Sequence, residues 1–252
     1  MKVVFIGAGN VATVLARLSQ QAGHQVVQVV SRSISSAKLL ADELQCPFTN
    51  DFSQLDTSAD IYLVAMSDAA LNGLHENFRL KDQLIVHTAG AISKNVLQTV
   101  STNYGVLYPL QSLLKDEKND LLQIPLLVDG NNANSSKMIE AFANTISRQV
   151  QIVAEEDRQK IHVAAVVVNN FTNYLFTLAS DYCKAEKVSF ELLFPLIDAL
   201  VSRLHVHNPA DMQTGPAIRK DVATLEKHLR LLHMHPKLKS IYLKMSDSIM
   251  NG

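Results

Sequence analysis

Residues 2–33, KVVFIGAGNVATVLARLSQQAGHQVVQVVSRS, decide the fold. The apolar run Val3-Val4-Phe5-Ile6 is long enough for one buried strand. Gly7-Ala8-Gly9-Asn10-Val11-Ala12 follows, a G-x-G-x-x-A turn. An amphipathic segment then runs to Gly23, and a second apolar run, Val26-Val27-Gln28-Val29-Val30, closes the unit. Strand, tight turn, helix and strand within about 30 residues is the context in which this glycine pattern marks a dinucleotide site. Gly7 lets the chain turn off the strand, Gly9 leaves room for a pyrophosphate to reach the backbone, and Ala12 lets helix and strand pack closely. The free N–H groups and the positive end of the helix dipole then face the phosphates.

An acidic residue about 20 positions on would hold the ribose 2′-hydroxyl of NAD. That place reads Ser31-Arg32-Ser33. A carboxylate repels a 2′-phosphate, whereas a guanidinium grips it with two charge-assisted hydrogen bonds, each worth about 1.5–3 kcal/mol. NADP is therefore expected over NAD, the alternative being that Arg32 is one more solvated surface arginine.

The 252 residues suffice for one large or two modest domains. At 47% hydrophobic and 19% charged, the chain is globular rather than disordered. A net charge of −1 without a basic block argues against nucleic acid and against an anionic membrane surface. Cys46 and Cys183 lie far apart and form no C-x-x-C, which fits free thiols in a reducing compartment. The chain runs directly into its first strand without a leader pattern, and no apolar run approaches the roughly 18 residues of a membrane span. A cytoplasmic protein with no membrane partner is the expectation.

The spacing predicts a helix over 33–45 capped by Ser33, short strands at 47–49 and 61–65, and a helix starting at Asp68. Further strands are predicted at 84–87 and 105–108, the first followed by a helix capped by Ser93 and the second stopped by Pro109. A loop over 110–123, with Lys115, Asp116, Glu117 and Lys118 in water, leads to a strand at 124–128. A turn at 129–132, a helix over 134–147 and a last strand at 150–153 complete the pattern. This alternation predicts an α/β fold: a Rossmann-type doubly wound parallel sheet, followed by an all-helical carboxy-terminal domain. Ligands on such sheets sit beyond the carboxyl ends of the strands. Candidate cofactor contacts are therefore Gly7 to Ala12, Ser31 to Ser33, Ala65, Met66 and Ser67, and His87, Thr88 and Gly90. His87 reads equally well as a partly buried histidine closing its strand.

Beyond Ala154 no strand pattern returns, so the boundary is placed there: residues 1–154 bind nucleotide, and 155–252 are helical. A helix of about 30 residues, about 45 Å long, is predicted from Glu155 to about Lys187. Its middle, 163–168, is apolar all round, as expected of a helix enclosed by neighbours or by a partner subunit. Taking 100° per residue, Asn169 and Asn173 fall within about 20° of His162, with Asn170 about 80° away. Buried amides without partners cost about 1–3 kcal/mol each, so these three bond one another and the backbone, or bond a ligand. Ser189 opens a further helix in which Pro195 kinks it or starts its second half. Pro216 stands as a first helical residue, which puts Arg219 and Lys220 where the dipole disfavours cations. Arg219 is then expected to have an anionic partner, Asp221, Glu226 or a substrate carboxylate. A last helix over 236–250 carries Leu238, Ile241, Tyr242, Met245 and Ile249 at core spacing. His205/His207 and His233/His235 point two ways on a helix and lack further ligands, so no metal is expected. Ser67 and Ser112 stand in no nucleophile motif.

With these residues laid out, the chain resembles a bacterial family with a Rossmann-like domain and a carboxy-terminal domain of unknown function. It is more distantly similar to pyrroline-5-carboxylate reductase, ketopantoate reductase and the deazaflavin-dependent NADP reductases. The resemblance spans essentially the whole chain. It rests on the G-x-G-x-x-A turn, Ser31-Arg32-Ser33, His87-Thr88-Ala89-Gly90, Tyr108-Pro109-Leu110-Gln111-Ser112, the run 162–173, and Gln213-Thr214-Gly215-Pro216-Ala217-Ile218-Arg219-Lys220-Asp221. Ala89 stands where the family often has Ser, and Lys220 where it often has Gly. The resemblance implies a homodimer with entwined helical domains and a site between the two domains; it implies no particular substrate.

Two functions follow. The first is an NADP-dependent oxidoreductase that passes hydride between the nicotinamide and a small C=O or C=N compound bearing an anionic group. His162 is then the proton donor, Asn170 and Asn173 orient the polar group, and Arg219 holds the charge. The second is a non-catalytic NADP(H)-binding sensor or interaction module on the same fold.

Overall fold

The structure is a computed structural model that describes residues 1–76, 78–116 and 121–252. Glu117 and Lys118, expected in a solvated loop, lie outside the described residues. The first compact unit spans Met1–Val166. Its elements are β1 (Lys2–Ile6), α1 (Asn10–Gln21), β2 (Gln25–Val30), α2 (Ile34–Leu44), β3 (Phe48–Thr49) and β4 (Ile61–Val64). α3 (Asp68–Asn72), β5 (Leu84–His87), β6 (Tyr104–Pro109), β7 (Leu126–Gly130), α4 (Ala133–Ile146), β8 (Val150–Ile152) and α5 (Glu155–Ala165) follow.

The strands form one sheet in the order β3-β2-β1-β4-β5-β6-β7-β8. From β3 to β6 all pairings are parallel, and the order reverses between β1 and β4, the switch point at which doubly wound sheets open a crevice. Both faces are covered. Val3, Phe5, Ile61, Leu63 and Val86 pack on one side with α1, α2 and α4, while Val4, Ile6, Tyr62, Val64 and Ile85 pack on the other. This two-sided burial explains the unbroken Val/Ile runs of the central strands.

Several expected boundaries move. The sheet is not wholly parallel: β7 runs antiparallel to β6, with Gly105 opposite Gly130 and Val106 opposite Asp129. Asp129 and Gly130, which have turn composition, belong to the strand. Asp129 is 8% exposed and its carboxylate is neutralised by Lys94, so a polar residue is tolerated inside the sheet. The helix after Ser93 is a single 3-10 turn, Lys94–Leu97, capped by the Ser93 hydroxyl as expected. Ser33 likewise caps α2, accepting from the Ser36 N–H, and Asn132 caps α4 through the Ser135 N–H.

The second compact unit spans Val167–Gly252, so the compact units divide twelve residues after Ala154 (166 − 154). The long helix is present as one run, Glu155–Ala185, but it is not regular. Val166–Phe171 is a π segment joining α5 to α6 (Thr172–Ala185). α7 (Phe194–Leu204) starts with Pro195 in its first turn, the second of the two expected roles. α8 (Val222–Leu231) begins later than expected: residues 216–220 are turns, and Asp221 is the cap, accepting from the Thr224 N–H at 3.1 Å. α9 (Pro236–Asn251) closes the chain with Met245, expected in a core, 46% exposed.

Candidate active site

At the carboxyl ends of β1, β2 and β4 lies a cavity of about 130 Å³ whose lining includes Gly7, Ala8, Ser31, Arg32, Ala65 and Ser67. These are expected cofactor residues from three separate turns, and the sheet brings them together. Gly7 has φ +123°, and a Cβ there would lie 2.1 Å from the Ala65 carbonyl oxygen. The Gly7 N–H donates to Val30 O at 2.7 Å and the Ala65 N–H to Ile6 O at 2.8 Å, so the turn is stitched to both neighbouring strands. Gly9 differs. A Cβ there would meet nothing within 4 Å. Gly9 caps α1 without a side-chain hydrogen bond, and the first turn of α1 carries no acid. Among the described residues no side chain caps the start of α1, and the space beside Gly9 is open, which suits a phosphate. Ala12 is fully buried under this turn. Val11 is half-buried, and Asn10 accepts a long hydrogen bond from the Lys115 N–H.

Arg32 is exposed at the end of β2 and makes no hydrogen bond or ion pair among the described residues. Beside it, the Ser33 hydroxyl caps α2 and contacts the Ser35 and Ser36 hydroxyls at 3.1 and 2.9 Å. Ser35 and Ser36 were not expected here; the Ser-x-Ser-Ser spacing at a helix start was the available signal. The Ser31 and Ser67 residues and the Arg32 guanidinium around one cavity, next in sequence to a helix start with no acid in its first turn, fit a phosphorylated dinucleotide. Among the described residues, no three His, Cys, Asp or Glu side chains gather as a metal site.

The turn after β5 behaves differently. His87 is fully buried. Its Nδ1 accepts from the Ala89 N–H at 3.2 Å, which leaves Nε2 to donate to Ser93 O at 3.3 Å. Of its two readings, the geometry favours the buried histidine closing a strand. Thr88 also turns inward, with its N–H and hydroxyl both donated to Val64 O. Burial, and secondarily the Arg158 charge, push the His87 imidazole down to about 4 from 6.5. Between those values the unfolded chain binds a proton that the folded chain refuses. Stability therefore falls as pH drops from about 6.5 toward 4, by up to about 3 kcal/mol. Urea midpoints at pH 7 and pH 5 are expected to show the wild type losing about 2 kcal/mol more than His87→Asn. Equal losses would contradict this account.

Gly90 lies against a tyrosine–histidine pair. The Tyr108 hydroxyl lies 2.9 Å from His162 Nδ1, with the rings edge-on at 5.7 Å. A Cβ on Gly90 would stand 2.6 Å from that nitrogen and 2.7 Å from the Tyr108 ring. Behind the loop is Arg158, fully buried, one helical turn before His162 on α5. It donates from Nε to Gly90 O at 3.1 Å and from a terminal nitrogen to Ile92 O at 2.6 Å. Its other terminal nitrogen has no hydrogen-bond partner among the described residues and lies 3.8 Å from Asp129. Burial lowers the guanidinium's pKa, while Glu155 and Asp129 oppose that shift. Lys94 donates to both Asp129 oxygens at 2.8 Å, and Ser93 donates to Glu155 at 2.7 Å. Arg158, Asp129, Lys94 and Glu155 were missed in the sequence as site residues. The available signal was an arginine four residues before a histidine.

In the second compact unit, Asn169, Asn170 and Asn173 are exposed rather than sunk among apolar neighbours. The π segment breaks the 100° step on which their shared stripe with His162 was reckoned. Arg219 is exposed in the turn before α8, so the expected conflict with a helix dipole does not arise. It helps, after the Thr224 hydrogen bonds, to hold the Asp221 carboxyl below its usual value.

Residues 2–90 match the family model described as NADP oxidoreductase, coenzyme F420-dependent, and residues 124–249 match the domain of unknown function DUF2520. In structure the chain is similar to a Bacteroides fragilis protein assigned as an NADP oxidoreductase. The two are 36% identical with a TM-score of 0.93, over 100% of this chain and 98% of that one. An imine reductase from Myxococcus stipitatus in complex with NADP+ gives 16% identity and a TM-score of 0.67, over 99% and 92%. A 1-pyrroline-5-carboxylate reductase from Streptococcus pyogenes gives 17% and 0.66, over 100% and 99%. These last two share the fold. No curated protein matches the chain. With DUF2520 covering half its length and a 36%-identical relative spanning it end to end, the protein belongs to the family that joins an NADP oxidoreductase domain to a DUF2520 domain.

Proposed function

We propose that the protein moves hydride between NADP(H) and a small molecule with a C=O or C=N bond. The observation that carries this reading is the cavity beyond the strand ends that Gly7 and Ala8 of the glycine turn line together with Arg32 and Ser31, Arg32 being unpartnered among the described residues. The first N–H groups of α1, over Gly9, hold the pyrophosphate; Arg32 with Ser31 and Ser33 holds the 2′-phosphate. NADPH, when bound, supplies the hydride. His162 gives a proton to the atom that becomes O–H or N–H, Asn170 and Asn173 orient that group, and Arg219 pairs with an anionic substituent. The C=N option has support by fold analogy alone, from the imine and pyrroline-5-carboxylate reductases.

On this reading residues 1–154 serve the nucleotide, and residues 155–252 serve substrate and a homodimer interface. The dimer is supported by apolar side chains that the single chain leaves open: Val163 65%, Val168 71%, Phe171 58% and Leu192 77% exposed. By length and composition Glu155–Ala185 is also long and apolar enough to cross a membrane. Its three mid-helix amides fit a protein partner better than hydrocarbon. The unpaired thiols of Cys46 and Cys183 support a cytoplasmic setting.

One purified sample tests the reading. Calorimetry is expected to give tighter binding of NADPH than of NADH. Arg32→Ser should weaken NADPH by roughly 10- to 150-fold, the worth of one charge-assisted hydrogen bond, and leave NADH unchanged. Sedimentation should give a dimer mass. Equal affinity for the two nucleotides would overturn the cofactor assignment, and a monomer mass would overturn the interface. A metabolite screen following NADPH absorbance then identifies the substrate; consumption by none would favour the non-catalytic module.

A further inference from the structure

We propose that Tyr108 is a positioning residue for His162: its hydroxyl donates to Nδ1 and so fixes Nε2 as the ring's N–H donor. The inference rests on His162 facing the substrate in the site above, and it specifies Nε2 as the nitrogen that presents its N–H to the substrate atom.

At 2.9 Å the contact admits two arrangements. Either the phenol donates to a bare Nδ1, or Nδ1–H donates to the phenol oxygen. In the second, the phenolic proton needs another acceptor. Among the described residues the Tyr108 hydroxyl has no other partner, and nearby Arg158 offers only donors. Burial also pushes the Tyr108 phenol up from its usual value, so the proton stays on the oxygen at neutral pH. The available acceptor is Nδ1. A neutral ring that accepts at Nδ1 carries its hydrogen at Nε2. Nε2, on the side of the ring away from Tyr108, has no protein partner among the described residues.

The surroundings hold this arrangement. Gly90 seats both rings on bare backbone, since a Cβ would overlap both. Arg158 grips the carbonyls of Gly90 and Ile92, so the seat cannot drift from the helix that carries His162. Helix, loop and β6 therefore fix the imidazole from three sides, with Tyr108 setting its hydrogen.

The test is nitrogen-15 NMR of the full chain carrying ring-labelled histidine, at a pH where the imidazole is neutral. His162 is picked out from the 9 histidines by loss of its signals in His162→Gln. The expected wild-type pattern is a hydrogen-bonded, unprotonated Nδ1 and a protonated Nε2. Tyr108→Phe should move Nδ1 to the position of a free acceptor, with NADPH affinity unchanged. Gly90→Ala should do the same while keeping the tyrosine, because its methyl displaces the ring. A protonated Nδ1 in the wild type overturns the proposal, as does an Nδ1 signal that neither variant moves. A protein that ignores NADPH yet shows the expected shift refutes the oxidoreductase reading and leaves the hydrogen assignment standing. The reverse result removes the assignment alone.

Discussion

Gly7→Ala is expected to destabilise the protein by about 2–6 kcal/mol, whereas Gly9→Ala is expected to fold normally and lose NADPH. The same turn supplies both residues, yet their surroundings are opposite. At Gly7 the backbone has φ +123°, and an added Cβ would lie 2.1 Å from the Ala65 carbonyl oxygen. That oxygen belongs to backbone, so no side-chain rotation relieves the overlap. Overlap and left-handed backbone each contribute about 1–3 kcal/mol, against a total stability of about 5–15 kcal/mol for a typical domain. At Gly9 the φ is −88° and an added Cβ would meet no atom of the described residues within 4 Å. Nothing among the described residues requires glycine there; on the proposed function, a pyrophosphate lying against the start of α1 would. Urea unfolding should therefore separate Gly7→Ala from wild type and leave Gly9→Ala unmoved, while calorimetry should show at least about a tenfold loss for Gly9→Ala. If Gly9→Ala binds NADPH normally, the pyrophosphate does not pass over this turn. If Gly7→Ala matches the wild type in stability, the stitching of the turn to β2 and β4 contributes little.

This contrast also marks what was legible in the sequence. The crevice was readable because its parts are local: a strand, a glycine turn, a helix, and Arg32 at the end of the next strand all fall within residues 2–33. The cluster behind Gly90 was not. Lys94 follows β5, Asp129 lies in β7, and Glu155 and Arg158 open α5, so each looks like an ordinary charge until the sheet assembles them. Asp129-Gly130 has the composition of a turn, and the Lys94 and Arg158 charges let the carboxylate sit inside a strand. The angles from His162 to Asn169 and Asn173 were illegible for a different reason. Spacing is converted to angle by assuming 100° per residue, and an i→i+5 segment at Val166–Phe171 breaks that assumption without any residue type announcing it. Apolar periodicity in α9 had the same ambiguity: a face spaced for a core is spaced equally well for a partner, and Met245 remains 46% exposed in the single chain.

Asp129→Ala is expected to cost about 3–5 kcal/mol, more than Arg158→Met, although Arg158 is the more deeply buried of the two. Asp129 is the shared anion of two cations: Lys94 at 2.8 Å and Arg158 at 3.8 Å. Removing it leaves a fully buried guanidinium beside a second positive charge, with one guanidinium nitrogen already lacking a hydrogen-bond partner. Removing Arg158 instead leaves Asp129 paired with Lys94. It forfeits the bonds to Gly90 O and Ile92 O, and it also relieves the protein of a desolvated charge. The double variant Asp129→Ala/Arg158→Met should therefore be less damaged than the sum of the singles, by at least about 1 kcal/mol in urea unfolding. Simple additivity would mean that the two groups do not interact at 3.8 Å. A loss for Asp129→Ala within about 0.5 kcal/mol, the range of a surface change, would mean the site is wetter than its burial implies. The two single variants should part in a second way. Arg158→Met frees the carbonyls that seat Gly90 under Tyr108 and His162, so it should disturb the His162 ring signals. In Asp129→Ala the hydrogen bonds from Arg158 to that loop remain available, and those signals should stay in place wherever the variant is folded.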